Sequence, residues 1–307
     1  MKRIVFLMMV AAVAVAGAAQ QMEFAPVVAP VVPQKVEFCG SEVNFDRLDM
    51  ADRLDRELLS IMYSHSNTML SLKRANRYFP VFSRILKEQG IPQDMLYLAV
   101  TESLLDPLAY STAKAAGTWQ MLAETGRQFG LEVNDEVDER YDPEKSCVAA
   151  CKLLRQAYNK YGDWPSACAS YNAGQGRISG ELSKQGQNTS FDLYLNKETS
   201  RYVFRIIAYK LFFENPQAYG YRLTSDQLWQ PVRYREVQVT SSVPDWAAWA
   251  RQQGISYAQL REANPWIRST HLTVRTKTYT VRIPLEEDRQ RSTQPVSVFN
   301  KAWVTDK

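Results

Sequence analysis

The sequence IPQDMLYLAVTESLL occupies residues 91–105. Its apolar residues recur at the spacing of one face of an α-helix. Pro92 suits the first turn of such a helix, where a backbone N–H has no intrahelical partner. The Asp-Pro pair at 106–107 ends it, because the residue before a proline avoids helical geometry. The pattern therefore predicts a helix from Pro92 to about Leu105.

Glu102 is the residue of this helix that points to chemistry. It falls on the face of Met95, Leu98 and Ala99, seven, four and three residues before it. Apolar neighbours raise the pKa of a carboxyl group by desolvation, and the helix dipole in the last turn adds to the effect. We therefore expect Glu102 to hold a proton near neutral pH, as a general acid must. A glutamate that points from the helix end into water is the alternative that periodicity leaves open.

Helical periodicity continues on both sides of this segment. The predicted helices lie within 45–90, where Pro80 interrupts the pattern, from Asp142 to about Tyr161, from Trp164 to the glycines at 174 and 176, and from about Glu198 to Glu214. A chain of 307 residues, 45% of them hydrophobic, has room for the core that such a domain needs.

The pattern changes after Pro216. Two alternating segments, at 237–239 and 278–284, enclose two short helical ones at 243–253 and 257–263. The predicted fold class is therefore a mainly α domain followed by a small βααβ C-terminal module.

The predicted organisation has five parts. They are a signal peptide at 1–18, a proline-rich linker at 19–44, the helical domain at 45–230, the βααβ module at 234–284 and a disordered tail at 285–307. The signal has a basic start, an apolar run at 4–16 and small residues after it. A transmembrane anchor is the alternative, but it needs about 20 apolar residues. We expect export to the periplasm or the cell envelope.

Composition excludes several kinds of site. Lys and Arg total 37 against 33 Asp and Glu, and a net charge of +4 is too small for nucleic-acid binding. His65 and His271 are the only histidines, which excludes an all-histidine zinc site, and we expect neither a metal nor a cofactor. We expect Cys147, Cys151 and Cys168 to be buried reduced thiols, with a disulfide as the alternative.

Residues 91–178 carry three ordered motifs: ES at 102–103, AGTWQM at 116–121 and ASYNAG at 169–174. This stretch resembles the catalytic domain of the soluble lytic transglycosylases, glycoside hydrolase family 23. Two further matches to the family are YDP at 141–143 and ETSRYV at 198–203. The Gly-Thr-Trp-Gln form of the second motif is typical of the membrane-bound lytic murein transglycosylase D subfamily.

The resemblance implies a lysozyme-like fold of the α+β superfamily and cleavage of the β-1,4 bond between N-acetylmuramic acid and N-acetylglucosamine in peptidoglycan. Glu102 would protonate the leaving oxygen and then, as a carboxylate, take the proton of the muramic 6-hydroxyl. That hydroxyl closes onto C1 as a 1,6-anhydro ring. A hydrolase would need a second carboxylate, for which Asp106 is the nearby candidate in sequence; we assign Asp106 to the turn before Pro107.

The resemblance also implies substrate-binding roles for six residues: Ser103, Gln120, Met121, Tyr171, Asn172 and Tyr202. Gln120 and Met121 would line the sugar subsites, with loop packing as the alternative. Tyr171 and Asn172 would hydrogen bond to the acid or to the N-acetyl group, although Asn172 also suits a helix cap. Tyr202 would approach the acid from another helix, with core packing as the alternative.

Residues 234–284 resemble a divergent LysM module, a class that binds N-acetylglucosamine chains. The matching segments are GISY at 254–257, LREANP at 260–265 and VRIP at 281–284. Trp246, Trp249 and Trp266 would stack on sugars or form the module's core. We expect a tethered module, whose removal after about Pro231 leaves cleavage of short glycans intact.

These patterns together predict an exported lytic transglycosylase that acts on the glycan strands of peptidoglycan. A lysozyme- or chitinase-like hydrolase on the same fold and a non-catalytic peptidoglycan-binding protein are the alternatives. We expect a monomer, and the sequence leaves peripheral membrane association open.

Overall fold

The computed structural model describes residues 28–291 and 295–306, so the predicted signal peptide lies outside the described residues. The described part is mainly helical. Its α-helices are α1 (Leu48–Tyr63), α2 (His65–Glu88), α3 (Met95–Ser103), α4 (Ala123–Gln128), α5 (Pro143–Tyr161), α6 (Trp164–Ala173), α7 (Gln175–Gln185), α8 (Lys197–Glu214), α9 (Trp246–Gln252) and α10 (Tyr257–Ala263). Its strands are β1 (Lys35–Phe38), β2 (Ser41–Asn44), β3 (Tyr234–Val239) and β4 (Tyr279–Pro284). None of the helices in these ranges is long and apolar enough to cross a membrane.

Helix α3 lies inside the large domain and packs against α2 and α8. Its apolar residues Met95, Leu98 and Ala99 are fully buried, as the periodicity predicts. The helix ends where Leu104 and Leu105 adopt left-handed backbone geometry, with φ of 54° and 60°. Two such residues in succession turn the chain sharply at the end of the helix, because a left-handed residue cannot continue it. This turn leaves the last residues of α3 at the edge of the core.

The boundaries of α5 agree with the prediction. The Asp142 side chain accepts hydrogen bonds from the N–H groups of Glu144 and Lys145 at 2.9 and 3.0 Å, and Pro143 fills the first turn. The helix then runs to Tyr161 as expected.

The prediction for the end of α6 is half right. Gly174 caps α6 with φ of 85°, a positive value that glycine adopts without strain. Gly176, in contrast, lies inside α7, a helix that the sequence did not predict. Polar residues dominate α7 and only Ile178 is buried, so few apolar residues mark this helix in the sequence.

The linker prediction is wrong for residues 35–44. Strands β1 and β2 form an antiparallel hairpin in which Val36 lies opposite Val43. Val36, Phe38 and Val43 belong to the core of the large domain. The hairpin escapes sequence analysis because two four-residue strands show too little alternation to differ from a valine-rich linker.

The predicted βααβ order of the C-terminal module is confirmed. Strands β3 and β4 pair antiparallel, with Val237 opposite Val281. Trp246 and Trp266 are buried in the module's core, and Trp249 packs against it. The first two tryptophans therefore stabilise the module by packing.

The module is docked on the large domain. Val137, which precedes α5, belongs to the module's hydrophobic core. The N–H of Asp138 donates to the carbonyl of Trp266 at 2.9 Å, and the N–H of Arg268 donates to the carbonyl of Glu136 at 2.8 Å. The picture of a tethered module is therefore wrong, since a shared core and backbone hydrogen bonds fix its position.

The prediction of a disordered tail is wrong for its described residues. The chain returns to the large domain at 295–306, where Trp303 is 1% exposed. The indole N–H of Trp303 donates to the carbonyl of Phe213 at 2.7 Å, and the N–H of Phe299 donates to Asn76 Oδ1 at 2.8 Å. Trp303 and Phe299 are isolated aromatic residues in a polar segment that has no periodicity. The sequence pattern therefore does not predict that this segment packs on the domain.

Among the described residues the cysteines are free thiols. Cys147, Cys151 and Cys168 are buried, as predicted, and Cys39 is partly exposed.

Candidate active site

Glu102 lies in the last turn of α3, partly buried at the edge of the core. Burial raises its pKa to about 7, and the negative charge of Glu198 acts in the same direction. The Tyr202 hydroxyl, on α8, donates a hydrogen bond to Glu102 Oε1 and lowers the pKa, as does the charge of Arg205. The rise predicted from the apolar helix face is confirmed, and burial is its largest cause. A carboxyl group of this pKa can both give and accept a proton near neutral pH.

The AGTWQM motif forms a tight loop beside the end of α3. Ala116 and Met121 close it through paired backbone hydrogen bonds of 3.1 and 3.2 Å. The carbonyl of Thr118 accepts a hydrogen bond from Ser103 Oγ at 2.8 Å, and the carbonyl of Trp119 accepts one from the Tyr171 hydroxyl at 2.7 Å. The loop therefore fixes the hydroxyl group of Ser103, the next residue after Glu102, and that of Tyr171.

The structure separates the two residues expected to line sugar subsites. Gln120 is partly exposed, and its amide nitrogen donates to the carbonyls of Gly117 at 2.9 Å and Ala109 at 3.2 Å. Its side-chain oxygen is left as the group that can accept from a ligand. Met121 is 2% exposed and packs in the core, so the expected contact between Met121 and a sugar has no support in this structure.

Tyr171 and Asn172 take different places. Burial and the charge of Glu102 both raise the pKa of Tyr171, which places its hydroxyl near the acid. Asn172 Oδ1 accepts from Thr199 Oγ1 at 3.0 Å, and its nitrogen donates to Glu198 Oε1 at 3.5 Å. Asn172 therefore links α6 to the start of α8.

Comparisons with known protein families match this arrangement. The family "Transglycosylase SLT domain" matches residues 80–193, which contain Glu102 and the motifs at 116–121 and 169–174. The chain carries a transglycosylase SLT domain. The family "Soluble lytic transglycosylase C-terminal LysM-like domain" matches residues 235–287. Both family resemblances inferred from the motifs are thereby confirmed.

The relatives that this chain resembles here are longer proteins. Membrane-bound lytic murein transglycosylase D of Escherichia coli (strain K12) is 31% identical over 246 residues, covering 76% of this chain and 52% of the relative. The chain thus spans about half the length of that relative. The crystal structure of the 70 kDa soluble lytic transglycosylase of Escherichia coli is 24% identical, with a TM-score of 0.38, and covers 45% of this chain and 24% of that one.

Glu198 is a candidate site residue that the sequence patterns did not single out. It is exposed on the first turn of α8, and its charge acts on Glu102. The available signal was its position four residues before Tyr202, which places both side chains on one helix face. Glu198 is thus a second carboxyl group near the acid.

Asp106 takes the structural role assigned to it. Its Oδ1 accepts from the N–H of Leu108 at 2.9 Å, and its Oδ2 accepts from Arg74 at 2.8 Å. Across the part of the chain that the structure describes, no three His, Cys, Asp or Glu side chains form a group that could hold a metal ion.

The raised pKa of Glu102 makes folding stability depend on pH. Because the folded state binds this proton more tightly than the unfolded chain, stability falls as pH rises from about 4.5 to about 7 and stays lower above that. Glu102→Gln removes the ionisation. We expect it to stabilise the protein at pH 8.5 by about 3 kcal/mol, several degrees in melting temperature, with no gain at pH 4. Thermal unfolding at both pH values measures this, and an equal gain at pH 4 would contradict the burial argument.

Proposed function

We propose that this chain is an exported lytic transglycosylase that cleaves the β-1,4 bond between N-acetylmuramic acid and N-acetylglucosamine in peptidoglycan, leaving 1,6-anhydromuramic ends. The observation that carries the proposal is Glu102, a carboxyl group with a pKa of about 7 and a hydrogen bond from Tyr202, inside an SLT domain. Export rests on the N-terminal signal pattern, and we propose the periplasm or cell envelope and a monomeric state.

One carboxyl group serves both steps. Protonated Glu102 gives its proton to the glycosidic oxygen as the bond to C1 breaks. The resulting carboxylate, stabilised by the Tyr202 hydroxyl, takes the proton of the muramic 6-hydroxyl while that oxygen bonds to C1. The proton returns to Glu102, so no water is consumed.

Other residues support substrate binding in this proposal. The free side-chain oxygen of Gln120 accepts from a sugar hydroxyl or amide, Ser103 and Tyr171 hold the loop at 116–121 in place, and Asn172 holds the start of α8. The LysM-like module adds contacts to the same glycan strand, because it is docked on the domain that contains Glu102.

A water-using hydrolase is the second candidate, and Glu198 is the observation in its favour. Hydrolases of this type use two carboxyl groups, and Glu198 acts on Glu102 from the same helix face as Tyr202. Its exposure and its contact with Asn172 favour a role in shaping the site's wall over activation of water.

The form of the product decides between them. Digestion of purified peptidoglycan should release muropeptides lighter by one water than lysozyme products, because the 6-hydroxyl is the nucleophile. Mass spectrometry measures this directly. Glu198→Gln should leave the anhydro form unchanged. Reducing-end muramic acid from the wild type, lost in Glu198→Gln, would establish the hydrolase.

A further inference from the structure

One buried arginine, Arg140, hydrogen bonds to both ends of the loop at 114–121. Arg140 is 6% exposed, and its Nη1 donates to the carbonyls of Lys114 at 2.8 Å and Met121 at 3.0 Å. These carbonyls lie at the two ends of the loop, so one planar guanidinium group ties the ends together. A planar group with several fixed donors suits this task better than a single ammonium group.

The backbone around Arg140 also touches the loop. A Cβ atom placed on Gly117, where φ is 76°, would lie 1.9 Å from the Arg140 carbonyl oxygen. No side chain fits there, and the positive φ also favours glycine. The loop therefore lies directly on the segment 139–141.

Arg140 is fixed in turn by Asp138. The two side chains make two hydrogen bonds, Nε to Oδ1 at 2.9 Å and Nη2 to Oδ2 at 2.7 Å, and both side chains are buried. A two-bond pair of this kind fixes orientation as well as charge.

The LysM-like module holds this segment from its other side. Besides the hydrogen bond from the Asp138 N–H to Trp266, Lys277 binds Glu139 at 2.8 Å and Glu132 at 2.7 Å. The guanidinium group of Arg268 lies over the ring of Tyr141, 4.2 Å from its centre. The contacts thus continue from the module, through residues 132–141, to the loop.

We propose that Arg140 is a positioning residue for the SLT site and that the docked LysM-like module supports it. The loop's carbonyls at Thr118 and Trp119 orient Ser103 and Tyr171 beside Glu102, and Arg140 sets where those carbonyls lie. The module therefore contributes to turnover as well as to glycan binding. The catalytic part of this inference rests on the proposed function.

Arg140→Lys in the full chain tests this role, because it keeps a positive charge beside Asp138 but loses the planar guanidinium group that bonds to both loop carbonyls. Misplacing site groups by about 1 Å costs up to about a hundredfold in rate. We expect kcat on peptidoglycan to fall about tenfold to a hundredfold, with little change in KM. Hydrogen exchange measured by mass spectrometry should rise in peptides covering 110–121 while α8 stays protected.

Arg155→Lys is the matched control. Arg155 also donates to two backbone carbonyls, those of Gln89 and Gly90, but at the turn between α2 and α3. Its variant should leave kcat and the exchange of the loop unchanged. A folded Arg140→Lys variant with wild-type kcat, or with wild-type exchange at 110–121, overturns the proposal.

The module's part is tested by the double variant Lys277→Met with Arg282→Met. Arg282 binds Glu144 at 2.9 Å and lies 3.7 Å from Asp142, so the double variant removes the Lys277 and Arg282 ion pairs from this interface. Exchange should rise at 132–142 and at 110–121 together. A rise at 132–142 alone, or at neither, overturns support by the module. Hydrogen exchange does not depend on turnover, so it tests the positioning role of Arg140 even in an inactive protein. A wild-type protein that releases no muropeptides would contradict the proposed function and not this inference.

Discussion

Glu102→Gln should lower kcat on peptidoglycan by at least about a thousandfold. The substitution keeps the size of the side chain and a hydrogen bond with Tyr202 but removes the carboxyl proton that Glu102 would give to the glycosidic oxygen. Binding to peptidoglycan should persist, because the other site residues and the module are unchanged. Turnover and pull-down with insoluble peptidoglycan measure the two effects separately.

The pH dependence of the wild type belongs to the same prediction. Since the acid must be protonated and its pKa is about 7, kcat should fall about tenfold per pH unit above that value. Tyr202→Phe removes the hydrogen bond that lowers this pKa, so the alkaline limb should move to higher pH while the maximum rate drops.

Glu88→Gln is the matched control for the loss of a carboxyl group. Glu88 is exposed at the end of α2 and pairs with Arg84. Its variant should keep the wild-type rate and pH profile. A folded Glu102→Gln protein with more than about a tenth of wild-type turnover would reassign the acid.

Removing residues 232–307 should abolish cooperative folding, in contrast to the intact cleavage expected of a tethered module. The cut removes Trp303, whose ring packs against Phe79 and Phe213 in the core of the large domain. Truncation of a buried tryptophan to alanine alone costs about 3–5 kcal/mol. The cut also exposes Val137. Circular dichroism during heating tests this: a cooperative transition with wild-type kcat would restore the tethered picture.

An internal deletion separates the tail from the module. The N–H of Leu285 donates to the carbonyl of Arg233 at 3.0 Å, so the two ends of the module lie side by side. Residues 234–284 can therefore be replaced by a short glycine-serine linker while the tail keeps its place. This variant should fold, unlike the truncation, and should show raised hydrogen exchange at 110–121. If neither the truncated protein nor the internal deletion folds, the folding defect comes from loss of the module and not from loss of the tail.

Local sequence patterns predicted much of the site. Periodicity placed Glu102 on the buried face of α3, and Asp142-Pro143 gave the start of α5. The module's strand and helix order was also readable, because alternation and helical spacing are properties of short segments.

Features that depend on residues distant in sequence were not predicted. The hairpin at 35–44, the returning tail at 295–306 and the role of Glu198 all rest on contacts across the chain. Helix α7 was missed for a different reason, since it buries little apolar surface.

Helical spacing alone predicts which face of α3 is apolar and places Glu102 on that face. What covers the face depends on packing between distant elements: Tyr202, a hundred residues later, donates to the acid. Such packing also decides that the LysM-like module shares a core with residue 137. The physical reason is that helical spacing specifies a side chain's direction within its own element, whereas burial and hydrogen bonding depend on which other elements pack there.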